Sequence, residues 1–349
     1  MLRLTTILFS LLLISQCYGR TAVFEDDSTQ NAVSRVLEFT FLLKYEAALA
    51  TIDQLELELP DHPITAVLRA GVLYCRMLDH EDLEDFDEFE RQYDLAWDAT
   101  EKLKKEGEIA EADLYFGTLL GFRALLHQRQ GKWWPAVRVG IKAYKYMKSC
   151  LEEDSTLSDA HLGVGTYKYW RSRATDFINW LPFIPDQKDE GIALIYRAME
   201  EGLLGREIAR STLAWTLIDA DRPLEAVQLS IEGLKIYPGS RFYLWTLADG
   251  YYKMGHLEYA GQVYKQIWDS IHPLERNNHY NELGICKKMG YIYLGLNNPE
   301  EALKWINQGL SFQLDDEVKE RRKKTLKTLK DLKKIAEERL ANSRGTEKD

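Results

Sequence analysis

Two stretches that share one pattern, about 34 residues apart, constrain this chain more than any other feature in it. Ala226 in the first is matched by Ala260 in the second, and the residue types around each recur. Leu213, Ala214 and Leu217 precede the first; Leu247, Ala248 and Tyr251 precede the second. Ser230 and Gly233 follow the first, Tyr264 and Ile267 the second. Asp221 and Gly255 share a turn slot, and Pro238 closes the first copy, with Pro273 one place beyond the matching slot. Apolar residues at three- and four-residue spacing in a unit of this length describe two helices and a turn. Small residues where the two helices cross let their backbones approach closely, and a larger side chain would force the pair apart. One such pair cannot bury its apolar stripe alone, so neighbouring pairs must stack and share a core.

The pattern resembles the tetratricopeptide repeat (TPR). The resemblance implies an all-α fold, a TPR-like right-handed solenoid of antiparallel helix pairs with a C-terminal capping helix. It also implies a type of work, which is holding protein partners. Extending the pattern places crossing positions at Ala48, Gln92, Ala136, Gly191, Ala226, Ala260 and Ala302. This gives about seven helix pairs over residues 31–314. The spacings are 44, 44, 55, 35, 34 and 42, so the early units need longer helices or inserted turns. Gly131 is expected to turn, Ser158 to cap a helix, and Asn298-Pro299-Glu300-Glu301 to start one.

The chain begins with a single charge at Arg3 and an apolar run from Leu4 to Ile14, long enough for a signal-peptide core and too short to span a bilayer. Cleavage is expected after Gly19, with residues 20–30 a short linker and the mature protein extracytoplasmic, either periplasmic or secreted. A lipoprotein anchored at Cys17 is disfavoured because Gln16 stands where a small residue is wanted. At the other end, Glu317 to Asp349 holds 12 Lys+Arg against 7 Asp+Glu. The whole chain carries −10, so the rest carries −15. An acidic body speaks against nucleic acid as the main partner. Residues 315–341 read as one charged capping helix and 342–349 as a disordered tail.

Two stretches stand out between these ends. From Asp79 to Arg91 most residues are Asp, Glu or His, without the alternating ligands and central Gly of a calcium loop. This run reads as a solvated helix start. The insert at 174–187 carries Phe177, Trp180 and Phe183 among other apolar residues and two prolines. An apolar loop must be covered, either by the repeats or by a partner or a membrane surface.

No HExxH, GxSxG or phosphate loop is present, and the seven histidines are scattered. No catalytic residue, metal ligand or cofactor is expected. Cys75, Cys150 and Cys286 are too widely spaced for a metal or redox motif and read as buried thiols, one disulfide between two of them remaining open.

In TPR proteins ligands occupy the groove lined by the first helix of each unit, and the fifth, ninth and twelfth positions of the pattern point into it. Carried over, these are Ser211, Trp215 and Ile218, then Trp245, Asp249 and Tyr252, then Lys287, Tyr291 and Leu294. The resemblance thus gives Trp215, Trp245, Asp249, Tyr252, Lys287 and Tyr291 as a candidate partner-binding groove. Family members that bind chaperone tails carry Lys and Asn at such places to clamp a carboxylate. Trp and Tyr here favour an apolar or extended segment instead. Packing of these aromatics against the next unit is the competing account. The expected function is a non-catalytic exported scaffold in the cell envelope. The alternative is a carrier holding a small apolar ligand or lipid in the concave face under the 174–187 insert.

Overall fold

Asn298 shows how these helices are started. Its side chain accepts the Glu301 amide at 3.1 Å, Pro299 takes the first helical position, and Glu300 and Glu301 sit in the first turn. Asp315 repeats the device, accepting the Val318 amide at 2.7 Å. The turn slots are as the repeats require. Gly131, Asp221 and Gly255 have φ of 72°, 59° and 78°. Glycine enters this left-handed region without strain, while Asp221 does so at a cost on the order of 1 kcal/mol.

The computed structural model describes residues 26–176 and 185–346. Its described residues are helical throughout, without strands. Helices α1 (Asp27–Phe41), α2 (Tyr45–Glu58), α3 (Pro63–His80) and α4 (Phe86–Lys105) come first. Then follow α5 (Ile109–Arg129), α6 (Trp133–Glu153), α7 (Ala160–Ala174) and α8 (Lys188–Glu201). Helices α9 (Arg206–Asp219), α10 (Pro223–Ile236), α11 (Arg241–Lys253), α12 (Leu257–Ile271), α13 (Tyr280–Gly295) and α14 (Pro299–Ser311) continue the alternation. Two C-terminal helices, α15 (Asp316–Arg321) and α16 (Lys323–Thr346), close the chain.

The chain divides into two compact units. One takes the described residues up to 38, with 46–71 and 90–206; the other takes 39–45, 72–89 and 207 onward. In the first unit the small residues work as the pattern demands. A Cβ on Gly191 would lie 2.7 Å from the Gly165 carbonyl oxygen and 2.8 Å from the Tyr169 nitrogen. Gly165 and Gly191 thus mark the crossing of α7 and α8, and the register (165 with 195, 169 with 191) is antiparallel. Met147 of α6 lies against Gly117 of α5 and Gly163 of α7, within a core of Leu114, Cys150, Ala160 and Val164. Ala136 is only half-buried, and the inward face of α6 runs through Ala143, Met147 and Cys150 instead. Ser158 is not a cap either. Its hydroxyl donates to Glu201 at 2.8 Å, α7 begins two residues later, and neighbouring Asp159 accepts the amides of Leu203 and Gly205 at 3.1 and 2.6 Å.

In the second unit Ala226, Ala260 and Ala302 are fully buried, as crossing residues must be. The main core gathers Tyr264, Ile267, Leu283, Ile285, Met289, Ile292 and Ile306 with Leu329 and Ala336 of α16. Each such large side chain contributes roughly 1.5–3 kcal/mol on leaving water. A second cluster stacks Phe41, Tyr237 and Tyr243, with ring centroids 5.5–6.3 Å apart. The charged C-terminal stretch is broken at Arg322, whose φ of −102° and ψ of 10° leave the helical region. The break lets consecutive guanidiniums, Arg321 and Arg322, both lie on the Tyr280 ring, at 4.1 and 3.6 Å. Described helix continues to Thr346, past Asn342.

The acidic stretch at 79–91 is the largest departure from expectation. α3 runs on through His80, and α4 begins only at Phe86. The carboxylates at the end of α3 and in the loop between face arginines from the far half of the chain. Asp79, buried, accepts both ends of the Arg241 guanidinium, one at 2.6 Å, and the Tyr45 hydroxyl at 2.9 Å. Asp82 and Asp85 hold Arg276, at 2.7 Å from Asp82 to Nε and 2.9 Å from Asp85 to Nη2. Glu81 takes Arg321 at 2.7 Å. Sequence spacing could not reveal this, because local acid clusters look solvated until distant cations are brought to them. Cys75, Cys150 and Cys286 are free thiols.

Candidate functional site

The second unit contains a cleft of about 310 Å³. The first helices of three successive pairs supply most of it. α9 gives Trp215; α11 gives Arg241, Phe242, Trp245 and Asp249; α13 gives Asn281, Gly284, Lys287 and Lys288. Arg241, Trp245 and Asp249 are four apart, and Gly284 and Lys287/Lys288 are three and four apart, so each helix presents one face. Tyr264 of α12 and Asp79, at the end of α3, complete the wall with Glu81 and Arg322.

Four of the six groove residues expected from the repeat pattern line this cleft: Trp215, Trp245, Asp249 and Lys287. Tyr252 and Tyr291 do not. The Tyr252 ring lies under the Lys288 ammonium at 4.6 Å, and Tyr291 is 41% exposed. Ile218 and Leu294, also carried over from the pattern, are buried. Phe177, Trp180 and Phe183 of the insert, and the leader at 1–19, lie outside the described residues. The pattern missed Arg241, Lys288, Tyr264 and Arg322. A basic residue next to a groove position on α13 was a signal for Lys288; nothing local pointed to Arg322, which comes from the C-terminal helices.

The electrostatics separate the charges in the cleft into two groups. Five are paired away. Arg241 is held by Asp79, and burial, which would lower its pKa, is outweighed by Asp79, which raises it. Asp249 accepts Lys288 Nζ at 2.6 Å and the Tyr264 hydroxyl, and Tyr264 is pushed well above the usual phenol range by burial and then by Asp249. Glu81 is bound to Arg321. Two cations remain. Lys287 has no hydrogen bond or ion pair among the described residues, and its pKa is lowered by burial first and then by Arg322 and Lys288. Among the described residues Arg322 has the Tyr280 face and no hydrogen bond to its buried Nε, and burial lowers its pKa. Gly284 makes room for this guanidinium; a Cβ there would lie 3.2 Å from Nη2. Burying two like charges near one another is costly, so this arrangement favours an anionic group between them.

The cluster closest to a catalytic constellation is committed to structure. Glu282 is fully buried and bound by His272 Nδ1 at 2.6 Å, by His279 and by Asn277 at 3.1 Å. Cys286, one turn on, is buried, and burial followed by Glu282 raises its thiol pKa, the opposite of what a nucleophile needs. Among the described residues no group of three His, Cys, Asp or Glu could hold a metal ion.

No family model matches the chain, and no curated protein matches it. Several solved structures resemble it. PilW, described as a widely conserved type IV pilus biogenesis factor, is 15% identical with a TM-score of 0.48, over 72% of this chain and 96% of PilW. The APC/C hetero-tetramer Cut9-Hcn1 gives 13% identity and a TM-score of 0.50 over 91% of this chain, which spans 57% of that one. A tetratricopeptide repeat protein from Parabacteroides merdae is 15% identical with a TM-score of 0.38, over 88% of this chain and 99% of that one. At 13% identity the likeness to Cut9-Hcn1 bears on the fold alone. That fold is all-α and of the TPR kind, built from successive helix pairs.

Proposed function

We propose that this protein is a non-catalytic scaffold or adaptor that holds an extended segment of a partner protein in the cleft of its second unit. The observation that carries the reading is the pairing of two indoles, Trp215 and Trp245, with two cations that have no hydrogen-bonded carboxylate among the described residues, Lys287 and Arg322, in one cleft. An apolar or aromatic side chain stacks on the indoles, and a neighbouring carboxylate satisfies the cations. The competing reading, a carrier of a small apolar ligand, fits this cleft less well. Such a ligand would cover Lys287 and Arg322 without returning a hydrogen bond. The apolar leader at the start of the chain supports work outside the cytoplasm, in the cell envelope. No described helix is long and apolar enough to cross a membrane.

The test is selection from a displayed library of random peptides against the full chain. Enrichment of sequences joining an aromatic residue to Asp or Glu, with binding abolished by Trp245→Ala and weakened at least tenfold by Lys287→Ala, supports the scaffold. Failure to enrich any sequence, or binding indifferent to both substitutions, sinks it.

A further inference from the structure

Helix α6 of the first unit carries a second surface that the cleft does not explain. From Gly131 to Leu151 the chain holds Lys132, Arg138, Lys142, Lys145 and Lys148 and no acidic residue, in a protein of net charge −10. Four of these cations, Lys132, Arg138, Lys142 and Lys145, are exposed and have no ion pair among the described residues; Lys148 is paired with Glu152 at 2.7 Å. At about 100° per residue, Trp134, Arg138, Lys142 and Lys145 fall within one arc of about 80°. That arc is opposite the buried Ala143, Met147 and Cys150. At its head stand Trp133 and Trp134, 62% and 79% exposed, and Val137, 51% exposed. Two bare indoles and a row of unneutralised like charges are both unfavourable in water.

We infer that the outer face of α6 docks on a membrane surface rich in anionic lipid headgroups. Charge complementarity is the ground: three free cations lie along one side of the helix, with Lys132 just ahead of its first turn, and lipid phosphates in a plane can meet the three together. The indoles favour the same partner. Tryptophan rings settle at the headgroup level, with the apolar ring inward and the N–H outward. The arrangement, cations along the helix and aromatics at one end, is that of a helix lying in the interface. A long polyanion such as a nucleic acid fits less well, because it would extend from this face across a body whose net charge is strongly negative.

The experiment is co-sedimentation of the full chain with vesicles of equal parts phosphatidylglycerol and phosphatidylcholine, beside vesicles of phosphatidylcholine alone. Binding is expected to the mixed vesicles only and to fall steeply with added salt. Each Lys→Gln change should weaken it roughly fivefold, and the combined Lys132→Gln, Arg138→Gln, Lys142→Gln and Lys145→Gln variant at least a hundredfold. Trp133→Ser with Trp134→Ser should weaken it at least tenfold. All six positions are exposed, so far-ultraviolet circular dichroism should show the variants folded. A variant with Lys324, Lys327 and Lys330 of α16 changed to Gln should bind as the parent does. The inference is overturned by equal binding to neutral vesicles, by binding that survives the α6 changes but not the α16 changes, by no vesicle binding, or by capture of a single-stranded oligonucleotide in place of vesicles.

Discussion

Replacing Gly191 with alanine separates packing from propensity in a single methyl group. The new Cβ would stand 2.7 Å from the Gly165 carbonyl oxygen, 2.8 Å from the Tyr169 nitrogen and 3.0 Å from the Tyr169 Cβ. Two of the three are backbone atoms, so no flexible side-chain end can yield. Non-bonded contacts relax near about 3.5 Å, so α7 and α8 must part by roughly half an ångström or more. Overpacking of this kind costs about 1–3 kcal/mol, and backbone contacts put this site at the upper end. Alanine returns about 1 kcal/mol of helix propensity. The net expectation is a loss of about 2 kcal/mol. Gly121 on α5, in the same unit, is the control, because a Cβ there meets nothing within 4 Å. Gly121→Ala should stabilise by about 0.5–1 kcal/mol. Urea denaturation followed by circular dichroism, with slopes compared as well as midpoints, measures both. A Gly191→Ala midpoint equal to or above the parent's, with Gly121→Ala behaving as expected, would refute the claim that the α7–α8 crossing is set by backbone contact.

Other substitutions probe the second unit and the caps. Asp79→Ala leaves the Arg241 guanidinium buried without its carboxylate and should cost about 3–5 kcal/mol in denaturation experiments. Burial raises the Asp85 carboxyl, but hydrogen bonds from Arg76 and Arg276 lower it further, to a net value below its ordinary 3.8. The folded state therefore holds this proton less tightly than the unfolded chain. Its ion pairs stabilise above that ordinary value and are lost as pH falls through the folded one. Asp85→Asn should accordingly flatten the acid limb of a stability–pH curve. Removing the Asn298 cap with Asn298→Ala should cost about 1 kcal/mol, read as a shift in the same urea midpoint. Cys150 is fully buried, and burial raises its thiol to about 12. It and Cys286 should resist a thiol reagent in the native protein and react on addition of urea.

The repeat pattern was legible because it is local. Period, turn slots and small crossing residues are all written within a single repeat, and Gly191, Ala226, Ala260 and Ala302 are buried where that pattern puts them. The lining of the cleft was legible in part through the repeat resemblance, whose carried-over positions include Trp215, Trp245, Asp249 and Lys287. The same resemblance put Ile218 and Leu294 in the groove, and neighbouring helices bury them instead.

By itself, the sequence determined the all-α class, the pairing of helices and the approximate face each presents, because these depend on interactions within a few turns of chain. Tertiary structure alone decided which charges are free. Asp79, Asp82 and Asp85 read as a solvated acidic run until Arg241 and Arg276 arrive to neutralise them. Lys287 reads as one lysine among many until Arg322, from the C-terminal helices, is found near it, with no carboxylate hydrogen-bonded to either among the described residues. Whether a charge is spent or available depends on what the fold carries to it over long distances, and Coulomb energy in a buried site is set by that distance and not by separation along the chain.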